Sequence, residues 1–429
     1  MIPSINPDLF SGIEFVHPWS AGIIFFFTFL LVSFRQIRLL PIGRPAAALL
    51  GAVMMVMFGV MSPAEAYLLV NWDTICLLLG MMIIAEHLRD AGLFERLSRW
   101  FGSLGSPFLL LTCVSLVAAL ASALLVNDTI CVVMTPLVLG ICRDRRLNPF
   151  PYLMALAVSS NIGSALTLTG NPQNMIIGSL SHFNYARFIK LMTIPVAIAW
   201  LINLYLLWLY YRRSLTHPAT TDEGEATSGI RREIPRTRRL RIGITALIIT
   251  CFGFFSGYSM AFSALAGAVF VITLHRKDPR LLLERLDWSL LLFFAALFVV
   301  IGGLKTSGLA EAGTRLALSY VKGGLASQIR IFSAVTLAGS NLFSNVPFVL
   351  LAAHSVPRLA SPDLFWCLLA YVSTLAGNLT LFGSVANLIV AESARDECEI
   401  GFFAYAKFGI PSTILTLTAG IGILTALNP

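Results

Sequence analysis

Apolar residues run along this chain in blocks of about twenty, parted by short polar loops. Ten blocks have a length suited to one helical membrane crossing: 18–34, 44–62, 67–88, 151–178, 188–211, 242–257, 260–275, 289–304, 362–391 and 406–427. A helix needs ~17–25 apolar residues to span hydrocarbon, and these blocks are apolar all round rather than on one face. The pattern predicts an all-α polytopic membrane protein. Two further apolar stretches, 106–142 and 328–357, are too long for one crossing. Each is interrupted near its centre, the first at Val126-Asn127-Asp128-Thr129 and the second at Ser344-Asn345-Val346-Pro347.

Composition agrees with this reading. Of 429 residues 57% are hydrophobic and 12% charged, about half the charged share of a soluble protein, and mean hydropathy is +0.81. The net charge of +8 does not mark a nucleic-acid face, because the basic residues sit in short loops between apolar blocks, the positive-inside pattern. Arg35 and Arg38, the group from Arg89 to Arg99, Arg143 to Arg146, Arg212 to Arg241 and His275 to Arg285 all fall on one face if the first span runs inward. That face is then cytoplasmic and both chain ends lie outside the inner (cytoplasmic) membrane. Lys305, Arg315 and Lys322 fall on the opposite side. The segment Met1–Ser20 has no basic region ahead of its apolar run, so the first span reads as retained rather than cleaved. With basic clusters at both ends, 106–142 must enter and return as a helical hairpin. The same logic sends 328–357 in from the other side.

The two halves resemble each other. Trp72 aligns with Trp288 at a shift of 216, and Asn127 with Asn345 at a shift of 218. Leu166-Thr167-Leu168-Thr169-Gly170-Asn171-Pro172-Gln173-Asn174 aligns with Leu379-Thr380-Leu381-Phe382-Gly383-Ser384-Val385-Ala386-Asn387 at 213, both reading L-T-L-x-G-x-x-x-N. Each half holds five crossings, an odd number, and so enters the membrane upside down relative to the other, as in secondary transporters. The predicted organisation is a first inverted repeat at 1–211, a cytoplasmic linker at 212–241 and a second inverted repeat at 242–429. Each repeat carries a re-entrant hairpin and a broken transmembrane helix.

Irregular backbone at membrane depth survives only where protein or a water-lined cavity satisfies it. The four interruptions are therefore the candidate substrate site: Asn127, Asp128 and Thr129; Ser160, Asn161, Thr169, Gly170, Asn171 and Asn174; Ser344 and Asn345; Gly377, Asn378, Gly383, Ser384 and Asn387. A lone membrane Ser or Thr commonly bonds its own i−4 carbonyl, and a lone Gly commonly serves close helix packing. A buried Asn needs several partners, so the Asn residues carry more weight. Asp128 is the acidic residue placed inside a mid-membrane element. It reads as an N-cap, as the proton-coupling carboxylate, or as both. Glu86 and His87, near the cytoplasmic end of their span, read as interfacial.

No G-x-x-x-x-G-K-[ST], H-E-x-x-H or G-x-S-x-G motif occurs, so the expectation is not an enzyme and no catalytic residue is assigned. The seven cysteines are scattered without metal-ligand spacing, and neither a metal nor a cofactor is expected. Transport would draw on an ion gradient.

These interruptions, with Met134-Thr135-Pro136, resemble the ion transporter superfamily, which includes arsenite efflux permeases, sodium/proton antiporters of the NhaD type and divalent anion:sodium symporters. The resemblance covers nearly the whole chain. The Asn-Asp hairpin tip is most similar to the arsenite permease branch. That implies export of arsenite or antimonite driven by proton entry through Asp128, with a homodimer and a cytosolic ATPase subunit as expected partners beside the lipid bilayer. Gly170-Asn171-Pro172-Gln173-Asn174 is more similar to the anion permeases. That leaves open a Na⁺- or proton-coupled carrier of a small oxyanion or carboxylate, and a Na⁺/H⁺ antiporter.

Overall fold

The computed structural model describes residues 18–33, 43–216, 237–275, 278–320 and 323–427. Both chain ends, Arg35 and Arg38, most of the predicted linker, Arg276, Lys277 and Lys322 lie outside them. Every described element is helical. The first half holds α1 (Pro18–Ser33), α2 (Arg44–Met57), α3 (Pro63–Leu69), α4 (Trp72–Asp90), α5 (Leu93–Gly102), α6 (Pro107–Leu124), α7 (Asn127–Asp144), α8 (Phe150–Ser164), α9 (Pro172–Ser181) and α10 (Tyr185–Thr216). The second holds α11 (Thr237–Phe255), α12 (Met260–His275), α13 (Arg280–Leu283), α14 (Trp288–Thr306), α15 (Leu309–Tyr320), α16 (Leu325–Phe343), α17 (Asn345–Ala352), α18 (Pro362–Ala376), α19 (Val385–Ser393) and α20 (Phe402–Leu427).

The second ten helices follow the first ten in order. α4 and α14 have 19 residues each and begin and end 216 residues apart. Their caps correspond as well. Asn71 Oδ1 accepts from the Thr74 N–H at 2.8 Å, and Asp287 Oδ1 accepts from the Leu290 N–H at 3.1 Å. Each bond satisfies one orphan donor of the first helical turn. The cap at Asn71 also explains a boundary: the block 67–88 does not run as one helix, because α4 starts afresh at Trp72. Pro195 inside α10 and Pro411 inside α20 are likewise 216 apart. By length and composition four described helices suffice to cross a membrane alone, α6, α10, α14 and α20, and α3 with α4 makes a fifth if taken as one broken span.

The chain forms two compact units, each built from both halves of the sequence. The smaller comprises the residues up to Ile75 and Asp287–Gly323. Within it α14 packs along α2 and touches α1, α3 and α15, over a seam in which Ala47, Ala48 and Met55 are fully buried. Ser62 starts α3 with a reciprocal cap: its Oγ accepts from the Glu65 N–H at 3.2 Å and its N–H donates to Glu65 Oε2 at 2.7 Å.

The larger unit comprises Cys76–Leu286 and Gly324–Pro429. Its core is α8 and α18, buried on every side from Pro151 to Ser164 and from Leu364 to Ala376. Such all-round burial is what their uniform apolarity requires. α6 lies on α8 as α16 lies on α18, and α10 and α20 pack on each other. Buried hydroxyls tie this core together. Ser115 Oγ and Ser159 Oγ are 2.8 Å apart, and Trp200 Nε1 donates to Ser115. Asn203 joins Ser159 to Ser412.

Candidate functional site

The site grows out of two chain reversals and two helix breaks, all in the larger unit. Arg145, just past α7, donates to the Gly105 carbonyl just ahead of α6 at 3.2 Å. The pair α6–α7 therefore leaves at the end where it entered. The Ala360 N–H, beyond α17, reaches Gln328 Oε1 near the start of α16 at 3.3 Å, and α16–α17 doubles back in the same way. The first reversal turns at Leu125-Val126 in extended backbone. The second has one linking residue, Ser344, at φ 71° and ψ 153°.

The breaks separate α8 from α9 and α18 from α19. Gly170 is needed for close approach: a Cβ there would stand 2.2 Å from the Ser164 carbonyl oxygen. Two asparagines close the breaks by one rule. Asn174 Nδ2 donates to the Thr167 and Ser164 carbonyls, 7 and 10 residues earlier, at 2.9 and 3.3 Å. Asn387 Nδ2 donates to the Thr380 and Gly377 carbonyls, again 7 and 10 residues earlier, at 3.3 and 2.7 Å. The amides thus replace bonds that the interrupted helices forgo.

Asn161, in the last turn of α8, is the hub. Its Nδ2 donates to Asn378 Oδ1 at 2.8 Å and Asn387 Oδ1 at 3.0 Å. Its Oδ1 accepts from Asn127 Nδ2 at 3.0 Å and Ser384 Oγ at 3.1 Å. Both donors and both lone pairs of the amide are used. Asn378 Nδ2 donates to the Val158 carbonyl at 3.2 Å, and the Asn127 N–H to the Gly170 carbonyl at 3.0 Å. Asn171 caps α9 by accepting from the Asn174 N–H at 2.8 Å. Its Nδ2 reaches Ser164 Oγ at 2.9 Å and Thr374 Oγ1 at 3.2 Å.

These contacts are reciprocal. At the 213 shift Asn161 corresponds to Thr374 and Asn171 to Ser384, so the pair Asn161–Ser384 exchanges into Thr374–Asn171. The elements do the same: α7 packs on α19 and α17 on α9.

Asn127, Asn161, Asn171, Asn174, Asn378, Ser384 and Asn387 are therefore brought together, with Gly170, Gly377 and Gly383 in the backbone between them. Asn345 joins from the second reversal, where its Nδ2 lies 3.2 Å from the position of a Cβ on Gly377. Ser160 turns to the Ala157 carbonyl at 2.9 Å and Cys131 Sγ at 3.2 Å. Thr169 turns to the Tyr185 hydroxyl at 3.1 Å. Neither of these two side chains enters the amide cluster. Asp128 and Thr129 occupy the first turn of α7, both half-buried. Thr374, Gln173 and Asn341 were not anticipated. Gln173 Nε2 approaches Thr374 Oγ1 at 3.4 Å, and Asn341 Nδ2 donates to the Ala376 carbonyl at 3.0 Å. The 213 shift applied to Asn161 would have found Thr374.

No cationic side chain takes part in these hydrogen bonds. Among the described residues, four buried amide oxygens in and beside the cluster, the Oδ1 atoms of Asn127, Asn174, Asn341 and Asn345, meet no hydrogen-bond donor. Leaving a buried acceptor unmet costs about 1–3 kcal/mol, so these atoms are the cluster's open valences.

Residues 29–363 match the family model described as citrate transporter, CitMHS. The chain is 33% identical over 93% of its length to the silicon efflux transporter LSI3 of Oryza sativa subsp. japonica, covering 96% of that protein. It is 30% identical over 96% of its length to a Dictyostelium discoideum protein named for transporter arsB, covering 93% of it. Among solved structures, the YdaH transporter of Alcanivorax borkumensis shares the fold at a TM-score of 0.58 and 16% identity, over 96% of this chain and 98% of that one.

Proposed function

The chain belongs to the citrate transporter family of multi-pass membrane transporters, and on that footing we propose that it exports a small hydroxylated solute, arsenite or antimonite first, in exchange for protons. The observation that carries this reading is the set of four unmet amide oxygens. An acceptor without a donor is completed by an O–H group. As(OH)₃ and Si(OH)₄, the neutral forms of these elements near pH 7, are compact bearers of O–H groups. A tricarboxylate brings acceptors instead and would call for cationic side chains, none of which takes part in the described hydrogen bonds of the cluster. A relative named for silicon efflux and another named for arsB fit the same chemistry. The reciprocal contacts support two repeats of opposite orientation, the architecture of alternating access. Asp128, at the start of α7, is the proposed proton carrier.

The test is flux in proteoliposomes. Arsenite should leave against its gradient when an inward pH gradient is imposed, and Asp128→Asn should abolish that movement while the protein remains folded. No arsenite flux under either a pH or a Na⁺ gradient sinks the cargo assignment. Gradient-driven export that survives Asp128→Asn reduces that residue to a helix cap.

A second reading, Na⁺-coupled transport of a small oxyanion or carboxylate, draws on the same oxygens, since unmet amide oxygens also suit Na⁺. Citrate uptake that requires Na⁺ in the same vesicles would decide for it.

A further inference from the structure

Along α16 a second polar feature leads up to the amide cluster. Ser333, Thr336 and Ser340 lie three and four residues apart and so share one face of the helix. They are 6%, 0% and 0% exposed, and none of the three hydroxyls meets a hydrogen-bond partner among the described residues. A hydroxyl in a membrane helix ordinarily bonds the carbonyl of the preceding turn, as Thr28, Thr135, Thr193, Thr314 and Thr416 do in this chain. The three on α16 do not turn back on their own helix. Their row rises about 10 Å along the axis. It ends beside Asn341 and Asn345, whose Oδ1 atoms are also unmet. At the other end the same face carries Ile329, 4% exposed, and Phe332, whose ring stands 5.1 Å from that of Phe365 on α18.

The corresponding face of α6 is closed. At the 218 shift Ser333 corresponds to Ser115, Thr336 to Ala118 and Ser340 to Ser122. Ser115 is engaged by Ser159 and Trp200. A Cβ on Gly163 would stand 2.0 Å from the Ala119 carbonyl oxygen, so α8 bears on α6 backbone to backbone. At the 213 shift Ser159 and Gly163 correspond to Val372 and Ala376 of α18. Valine offers no hydroxyl to Ser333, and alanine brings a methyl group where glycine lets α6 close in. Ser122 is unmet, as Ser340 is, but Ala118 and the Ser115–Ser159 pair cut it off from the start of its helix. We propose that α16 holds a file of bound water, reaching from Ser333 to the open oxygens of Asn341 and Asn345 and closed at its far end by Ile329 and Phe332, while the α6 flank is dry at Ala118. The spacing suits water. Neighbours on a helix face are about 5–6 Å apart, the span of one water making two hydrogen bonds of about 2.8 Å. A buried water needs two to four polar partners, and each step of the row offers a hydroxyl above and below. The cluster is thereby joined to solvent from one flank only, whenever the Ile329–Phe332 end moves aside.

X-ray radiolysis of the full chain in lipid nanodiscs tests this, because hydroxyl radicals formed from bound water oxidise the side chains beside it. Thr336 and Ala118 are both 0% exposed. With water on one flank alone, the thiol of Thr336→Cys should be oxidised about tenfold faster than that of Ala118→Cys, read peptide by peptide in the mass spectrometer. Equal rates overturn the proposal. Thr336→Val gives a second reading that needs no new thiol. A hydroxyl bonded to water loses those bonds when a methyl replaces it, so the thermal unfolding midpoint should fall. A dry, unmet hydroxyl is better replaced by a methyl, so a midpoint that rises also overturns the proposal. Adding Phe332→Ala to Thr336→Cys should speed alkylation of that thiol by iodoacetamide severalfold, and an unchanged rate denies the closed end. None of these readings needs a transported solute, so a wrong cargo assignment cannot be mistaken for a dry α16.

Discussion

Ser344 carries more strain than any other residue at the reversals. Its φ of 71° with ψ 153° belongs to a region that suits glycine and costs other residues roughly 1–3 kcal/mol. The cause is length. Two extended residues turn the chain between α6 and α7, and one must do so between α16 and α17. Ser344→Gly should raise the thermal unfolding midpoint of the purified protein by an amount worth about 1 kcal/mol, and Ser344→Ala should not. Equal gains from both would place the strain in the side chain instead. At this scale the sequence was partly legible. Asn in an apolar run announces itself, because an amide in hydrocarbon demands partners, and Asn127, Asn161 and Asn387 do meet. Thr374 gave no such signal, since a threonine beside leucines reads as ordinary helix, whereas Gln173 carried the same amide signal within the Gly170–Asn174 break and was passed over. The strain at Ser344 depends on where the helices stop, to the residue, and boundary positions are the least determined feature of an apolar pattern.

At the scale of elements, the helix breaks owe their shape to two amides that bridge to carbonyls 7 and 10 residues back. Asn174→Ala should leave two buried carbonyls unmet and Asn387→Ala one buried and one half-buried, each at a cost of about 2–4 kcal/mol. Asn387→Asp should not recover the loss, because aspartate keeps the oxygens and loses the donor. Thermal melts of the three variants in one detergent provide the comparison, and recovery by aspartate would contradict a role for Nδ2. The breaks were visible beforehand because Gly170, Pro172 and Gly383 punctuate runs otherwise fit for a single helix. The start of α4 was not. Nothing in the apolar run 67–88 says that Asn71 will cap a new helix, since an asparagine at a membrane surface is unremarkable by composition.

For the whole molecule, the exchange of Asn161–Ser384 into Thr374–Asn171 makes an energetic statement. Double-mutant cycles to alanine on the two pairs should give coupling energies of the same sign, each about 0.5–2 kcal/mol. Unfolding midpoints of the single and double variants supply both cycles, and coupling in one pair with none in the other would deny their equivalence. The order of the long apolar helices was legible from the spacing of apolar blocks, while α5, α13 and α15, which fall in the loops between those blocks, were not. The grouping of the chain into units drawn from both halves was not, because a linear pattern carries no record of which distant helices touch.

The break asparagines serve two ends at once. One end of Asn174 or Asn387 is committed to holding the backbone, and only the other end is at liberty to meet a solute or a neighbour. Relatives that carry other cargoes are expected to keep these two positions, because altering either would leave the break carbonyls without their donor. Divergence in taste would have been channelled into the residues beside them, above all Asn161, Asn171, Thr374 and Ser384. Those four are where the histories of differently specialised relatives should be written.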